Sequence, residues 1–343
     1  MSKVLRVGIA GYGVVGKRRH QFIDQNPSFQ TVAVCDTKLN NGILSNGVQA
    51  FSSPDDLLKE DIDVLFVSLP NFLAPGVTIC GLEHGCHVFC EKPPGRNIQD
   101  ILDVIATADE YPNAKLKYGF NHRYHNSVRD ALEVVSGKTL GNIISMRGVY
   151  GKSSIVSFES DWRTKRALAG GGILLDQGIH MVDMMRLFAG EFNTVHSVIT
   201  NDYWEHDVED NAYALMRTED GITASLHSSA TQWRHTFRLE IIFGSGLVEL
   251  SGILSGSKSY GEETISVTRK FDDLSLQEPI VTQYHEDNSW RDEIDEFAKA
   301  IISDEPIITG SAVDALNTMK LVWRIYCADS TWRQRFDLNC DNH

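Results

Sequence analysis

The chain has 343 residues, 42% of them hydrophobic and 23% charged, with a formal net charge of -14; this is a globular composition with length enough for two cores. That charge excludes non-specific nucleic-acid binding and docking on an anionic membrane surface, and no apolar run approaches the ~20 residues of a membrane helix. The N-terminus enters a strand pattern at once, without the features of a signal peptide, so a cytoplasmic protein is expected.

Up to residue 121, short apolar runs alternate with helical patterns, as in an α/β domain with a parallel sheet. Val4 to Ala10 reads as a strand, Val14 to Gln25 as a helix, Thr31 to Cys35 and Val64 to Leu69 as strands, and Ala74 to Glu83 as a helix. Cys86 to Cys90, Ile98 to Glu110 and Lys115 to Phe120 continue as strand, helix and strand. From 122 to 343 the pattern changes. Ile143 to Tyr150, Val195 to Thr200, Ala212 to Arg217, Thr223 to Ser228, Phe237 to Phe243 and Ile265 to Thr268 follow one another as strands, several separated by glycine turns. This second domain should be α+β, built on a mostly antiparallel open sheet. Trp290 to Ile302 and Ala312 to Ala328 close the chain as helices, the latter able to pack back on the first domain. Its expected apolar stripe is Val313, Leu316, Met319, Trp323 and Tyr326. The six cysteines at 35, 80, 86, 90, 327 and 340 show no zinc-site spacing and read as buried free thiols.

Gly11-Tyr12-Gly13-Val14-Val15-Gly16 follows the first strand and opens a helix. In a dinucleotide loop the first glycine makes the turn, the second admits the pyrophosphate and the third lets helix pack on strand. The helix N-terminus then offers free amides to the phosphates. Asp36, about 20 residues beyond Gly16, is placed to bind both ribose hydroxyls and to repel a 2′-phosphate. NAD is therefore expected over NADP, with Lys38 the nearby cation that could receive a phosphate instead.

Ligands of an open parallel sheet bind beyond the C-terminal ends of its strands. Pro70-Asn71, Glu91-Lys92 and Asn121-His122-Arg123 fall there. Lys92 is the cation expected beside the nicotinamide, its backbone restricted by Pro93. Farther on, Gly170-Gly171-Gly172 leads into a segment in which Asp176, His180 and Asp183 share one face if it is helical. A histidine one turn from a carboxylate is a candidate general base. Capping by Asp176 and a core role for His180 is the alternative. Asp176, His180, Asp183, His122 and His125 could also be cast as metal ligands, but no spacing demands a metal and none is expected.

The glycine loop, Glu91-Lys92-Pro93 and Asp176-x-Gly-x-His180 occur in the order and spacing of the Gfo/Idh/MocA family of nicotinamide-dependent oxidoreductases, which the whole chain resembles. The resemblance implies a Rossmann domain, a sheet domain used for homodimers or homotetramers, and oxidation of a sugar or polyol hydroxyl. It implies that Lys92, Asp176 and His180 are catalytic. His180 would take the hydroxyl proton, Lys92 would stabilise the developing oxyanion, and Asp176 would orient the imidazole or bind a neighbouring hydroxyl.

Lys152, Arg163, Lys165 and Arg166 gather before the glycine run, and Trp162-Arg163 offers a face and a fork suited to an anionic sugar such as a nucleotide sugar. Arg123 and Arg147 are further candidates, and an ordinary solvated loop is the competing reading. Ser255 to Gly261 reads either as a ligand loop or as a long turn. Two other functions fit the same residues: a sugar-modifying enzyme that recycles bound NAD within each turnover, and a non-enzymatic sensor that kept the fold.

Overall fold

The computed structural model describes residues 3–155, 161–255, 259–270, 275 and 277–340, and these divide into two compact units. The first comprises 1–121, 168–170 and 290–317; the second comprises 122–167, 171–289 and 318–343. A second domain running unbroken from 122 therefore loses 168–170 and 290–317, and for the longer stretch the reason lies in the core.

In the first unit the strands are β1 (Leu5–Ala10), β2 (Phe29–Cys35), β3 (Gly42–Ile43), β4 (Gln49–Phe51), β5 (Val64–Val67), β6 (His87–Glu91) and β7 (Leu116–Gly119). They form one sheet in the order β3-β4-β2-β1-β5-β6-β7, parallel except for the short edge strand β3. Without that edge this is the doubly wound order of dinucleotide-binding sheets, reversing direction beside β1. Helices α1 (Val14–Ile23), α2 (Pro54–Leu57), α3 (Ala74–Glu83) and α4 (Ile98–Glu110) connect the strands. Phe66 and Phe89 stack at 4.9 Å in the core, and Phe297 meets them edge-on at 6.1 and 5.7 Å. Ile294, Phe297 and Ala298 lie at helical spacing and are buried in that cluster, so burial of their face assigns their helix here.

The second unit holds an eight-stranded sheet. Its strands are β8 (Ile143–Ser153), β9 (Phe192–Thr200), β10 (Asn211–Thr218), β11 (Thr223–Gln232), β12 (Thr236–Phe243), β13 (Gly246–Ser251), β14 (Glu263–Arg269) and β15 (Ile280–Tyr284). The order is β15-β14-β13-β12-β8-β11-β10-β9, antiparallel except for the β8–β11 pair. Helices α5 (Asn126–Ser136), α6 (Arg166–Ala169) and α7 (Ile179–Ala189) precede β9, and α8 (Ser289–Ile302), α9 (Ala312–Ala328) and α10 (Ser330–Arg335) end the chain. α7 is buried almost all round; a Cβ on Gly148 of β8 would strike Met185 and Met181 of that helix at 2.5 and 2.8 Å. That contact shows which face of the sheet α7 covers. The opposite face is open and displays Ile144, Val198, Tyr213, Leu215 and Ile242.

Two sequence expectations are corrected here. The buried face of α9 is Ala315, Thr318, Met319, Val322, Ile325 and Tyr326, whereas Val313 is 63% exposed. Met319 and Tyr326 of the expected stripe lie on this face, while Leu316 and Trp323 are half-buried beside it. Cys327 and Cys340 are joined in a disulfide across 13 residues, closing α10 into a loop; Cys35, Cys80, Cys86 and Cys90 are free. Nothing in the linear spacing marks that pair, because α10 turns the chain back on itself.

Candidate active site

In the first unit the glycine loop is shaped by clearance. Gly11 has φ +90, and a Cβ on Gly16 would lie 1.9 Å from the Gly11 carbonyl oxygen, so helix and strand meet there only without a side chain. A Cβ on Gly13 would meet nothing within 4 Å: the loop has open space where a pyrophosphate would approach, beside the N-terminus of α1. Asp36 Oδ2 accepts from the Tyr12 amide at 3.1 Å and Oδ1 from the Lys38 amide at 3.0 Å. The carboxylate is thereby held against the loop. Val14 is 89% exposed at the head of the helix and Val15 is also exposed. These features fit a dinucleotide.

Lys92 lies in a bend directly after β6, and its bond to Pro93 is cis. The preceding Glu91 accepts from Arg19 Nε at 2.6 Å, while Arg19 Nη2 reaches Glu293 at 2.8 Å. Arg19 is wholly buried, its guanidinium over the Trp290 and Phe89 rings at 4.3 and 4.4 Å. Burial pushes the Glu293 carboxyl up to about 7, against the pull of Arg19 and Lys117. Thus the residue beside Lys92 is tied to the helix that follows the glycine loop. Asn71, after Pro70, donates to the Ala169 carbonyl at 2.7 Å. Asn121 is buried at the start of the 3₁₀ turn Asn121–Tyr124.

In the second unit the segment after the glycine run is a π-turn, Leu174–Gly178, followed by α7. The regular helix expected over 176–183 is therefore widened at its start, as occurs often at functional sites. His180 is 3% exposed, and its ring stacks on His122 with centroids 3.6 Å apart and planes at 15°. His122 Nε2 is 3.0 Å from the Tyr150 hydroxyl. Burial raises Tyr150 well above the ordinary phenol range, helped by Tyr260 and by the charge of Asp176; Tyr260 is raised by the same two causes, burial and Asp176. Asp176 Oδ2 accepts from the Lys152 ammonium at 2.9 Å. The Tyr260 ring meets His235 edge-on at 4.9 Å, and burial together with Lys152 lowers the His235 imidazole. Asp176, His180, His122, Tyr150, Lys152, Tyr260 and His235 thus form a chain of neighbouring donors and acceptors.

Of the residues singled out in sequence, Asp183 leaves this group: it is 1% exposed and takes Arg123 in a two-pronged ion pair at 2.5 and 2.7 Å. Arg123, expected to bind substrate, is committed to that buried pair. Arg163 lies over the Trp162 ring at 4.4 Å and pairs with Asp161 at 3.0 Å, and Arg147 pairs with Glu240. His125 binds Glu263 at 2.7 Å. Among the described residues no group of three or more His, Cys, Asp or Glu side chains could hold a metal ion, and no helix is long and apolar enough to cross a membrane. Of the loop at 255–261, residues 256–258 lie outside the described residues.

Sequence reasoning missed Tyr150, on β8, and His235, in the connection from β11 to β12, neither of which has a motif of its own. The one signal for Tyr150 is positional: inward alternation on β8 puts it on the face that α7 covers.

Residues 5–120 match the model of an oxidoreductase family with an NAD-binding Rossmann fold, and 128–249 match the GFO/IDH/MocA C-terminal domain. D-glucoside 3-dehydrogenase of Escherichia coli (strain K12) is 30% identical over 257 residues, 70% of this chain and 72% of the relative. A D-xylose 1-dehydrogenase (NADP(+)) of Haloferax volcanii is 25% identical over 75% of each chain. A solved levoglucosan dehydrogenase in complex with NADH shares the fold at a TM-score of 0.82 and 20% identity, covering 96% of this chain and 97% of that one. With a glycine loop built for a dinucleotide, a family model on each half and a relative of this likeness, the chain belongs to the Gfo/Idh/MocA family of oxidoreductases.

Proposed function

We propose that the protein oxidises, or in reverse forms, a secondary hydroxyl of a sugar with NAD as its partner. The observation that carries this reading is the His180 imidazole, buried and face to face with His122 amid a run of hydroxyl, ammonium and carboxylate groups. Such a group suits a ligand that is a ring of hydroxyls. Bound NAD supplies the hydride acceptor. His180 takes the hydroxyl proton, and Lys92 donates to the alcohol oxygen as negative charge grows on it. Asp176, shared with Lys152, accepts from a neighbouring sugar hydroxyl. Asp36, held by the Tyr12 and Lys38 amides, binds the ribose diol and disfavours a 2′-phosphate.

The named relatives act on glucosides and xylose, and a neutral sugar is the favoured substrate. Lys152, Arg163, Arg123 and Arg147, four of the cations considered for an anionic group, each have a carboxylate partner. The test is NADH formation over a panel of hexoses, pentoses, glycosides, inositols, sugar phosphates and nucleotide sugars, with NADP in parallel and bound cofactor assayed after purification. Reaction with the sugars and its loss in His180→Ala supports the reading; wild-type rates in that variant refute it. Product without free NADH would instead indicate an internally recycled cofactor. The open sheet face, with a hollow of about 690 Å³ bordered by Arg147, Leu215 and Glu240, is proposed to pair copies of the chain into a homodimer or homotetramer. A monomer in sedimentation would refute that.

A further inference from the structure

We infer that Glu209 and Tyr326 are positioning residues that set the backbone carrying Asp176 and His180, an inference that rests on the roles proposed for those two residues. Glu209 is 2% exposed and Tyr326 wholly buried. Glu209 Oε2 accepts from the Gly172 amide at 2.8 Å, and Oε1 accepts from the Leu174 amide at 2.9 Å and the Tyr326 hydroxyl at 2.7 Å. The amide between them, that of Ile173, donates to the Glu209 backbone carbonyl at 3.2 Å. Three consecutive residues are therefore held by one.

The glycines are the space this contact needs. A Cβ at 171 would stand 2.2 Å from Tyr326 Oη, and one at 172 would stand 2.1 Å from the Glu209 carbonyl oxygen. The hold passes directly into the site. The Asp176 amide donates to the Gly172 carbonyl at 2.9 Å, the π-turn begins at Leu174, and His180 is the second residue of α7. A π-turn is an uncommon backbone form, so a fixed starting point upstream decides where its side chains fall.

A buried carboxylate is a costly means of stabilisation, and an apolar side chain of similar volume often serves stability as well. What an apolar group cannot do is accept from two amides on either side of Ile173 at once. Burial raises the Glu209 carboxyl, and its donors, the Tyr326 hydroxyl and the Gly172 and Leu174 amides, oppose that rise.

The test compares Glu209→Gln, Tyr326→Phe and the double variant with the wild-type protein and His180→Ala. Glutamine keeps the shape but turns one acceptor into a donor facing a donor. In Glu209→Gln, kcat should fall about tenfold or more while NADH affinity stays within about twofold. Tyr326→Phe keeps both amide bonds and should lose about threefold; the double variant should be no worse than Glu209→Gln, since both act on one element. Unchanged kcat in folded Glu209→Gln, or losses that simply multiply, would overturn the inference. If Glu209→Gln does not fold, Tyr326→Phe carries the same comparison. The ring nitrogen shifts of His180 by NMR give a readout that needs no substrate: they should move in Tyr326→Phe and in Glu209→Gln, and unmoved shifts overturn the inference. Absence of sugar oxidation by the wild-type protein would count against the proposed function alone.

Discussion

Asp183→Ala is the sharpest test of how the second unit uses its charges. Asp183 holds Arg123 through two bonds of 2.5 and 2.7 Å and accepts from Thr318 Oγ1 at 3.0 Å, and Thr318 in turn accepts from Arg186. The two side chains are 1% and 8% exposed, so alanine leaves a guanidinium with almost no access to water. Breaking a buried pair from one side costs about 3–5 kcal/mol, equivalent to a fall in melting temperature of roughly 6–20 °C for a unit of this size. Urea unfolding followed by tryptophan fluorescence would read it. Replacing both partners at once, Arg123→Met with Asp183→Leu, should recover most of that loss, because no lone charge remains. A loss under about 1 kcal/mol in Asp183→Ala, or a double variant worse than the single, would refute the reasoning. If Arg123→Met instead raised the sugar KM in a protein of unchanged stability, Arg123 would be a substrate ligand after all.

Three further outcomes are expected. Asp36→Ser combined with Thr37→Arg should shift the ratio of kcat/KM values from NAD towards NADP, and unchanged selectivity would remove Asp36 from the ribose site. Burial alone would raise the Glu263 carboxyl, yet His125 and the Ser127 amide hold it below its ordinary 4.5. Its stabilisation is therefore complete above that value and is lost as pH falls through the lower folded value. Urea midpoints measured down to about pH 3 should fall less steeply in Glu263→Gln than in wild type; parallel curves would contradict the assignment. Cys340→Ser should cost about 2–3 kcal/mol without reductant, from the unfolded-chain entropy released when a loop of 13 residues opens. With reductant the two proteins should melt alike, and equal stability in its absence would mean the bridge does not form.

The first unit was the more legible in sequence. Its strands are largely apolar, β5 and β7 buried at every residue, and α2 and α4 begin at local side-chain caps, Ser53 and Asn97. The expected bounds of α3 and α4 agree with the structure to the residue, as do those of α9, most of which belongs to the second unit. What escaped were the short pieces: β3 and β4, with two and three residues, carry too little pattern to register, and α2 is equally brief. After residue 121, β13, β15, α5, α6 and α10 were missed. β15 is exposed along most of its length, so it lacks the alternation by which a half-buried strand declares itself.

The sequence by itself determined the family, and with it an oxidoreductase with an NAD-binding Rossmann domain. The glycine loop, Lys92, Asp176 and His180 are recognisable because backbone clearance and residue type within a few positions are local properties. Tertiary structure alone decided which other residues surround Asp176 and His180. Asp183, in phase with His180 in sequence, belongs to Arg123; Tyr150, Tyr260 and His235, far apart in the chain, gather around the same group. The pairing of a buried charge or hydroxyl depends on which distant atom completes its desolvated shell, and no short stretch of sequence contains that atom.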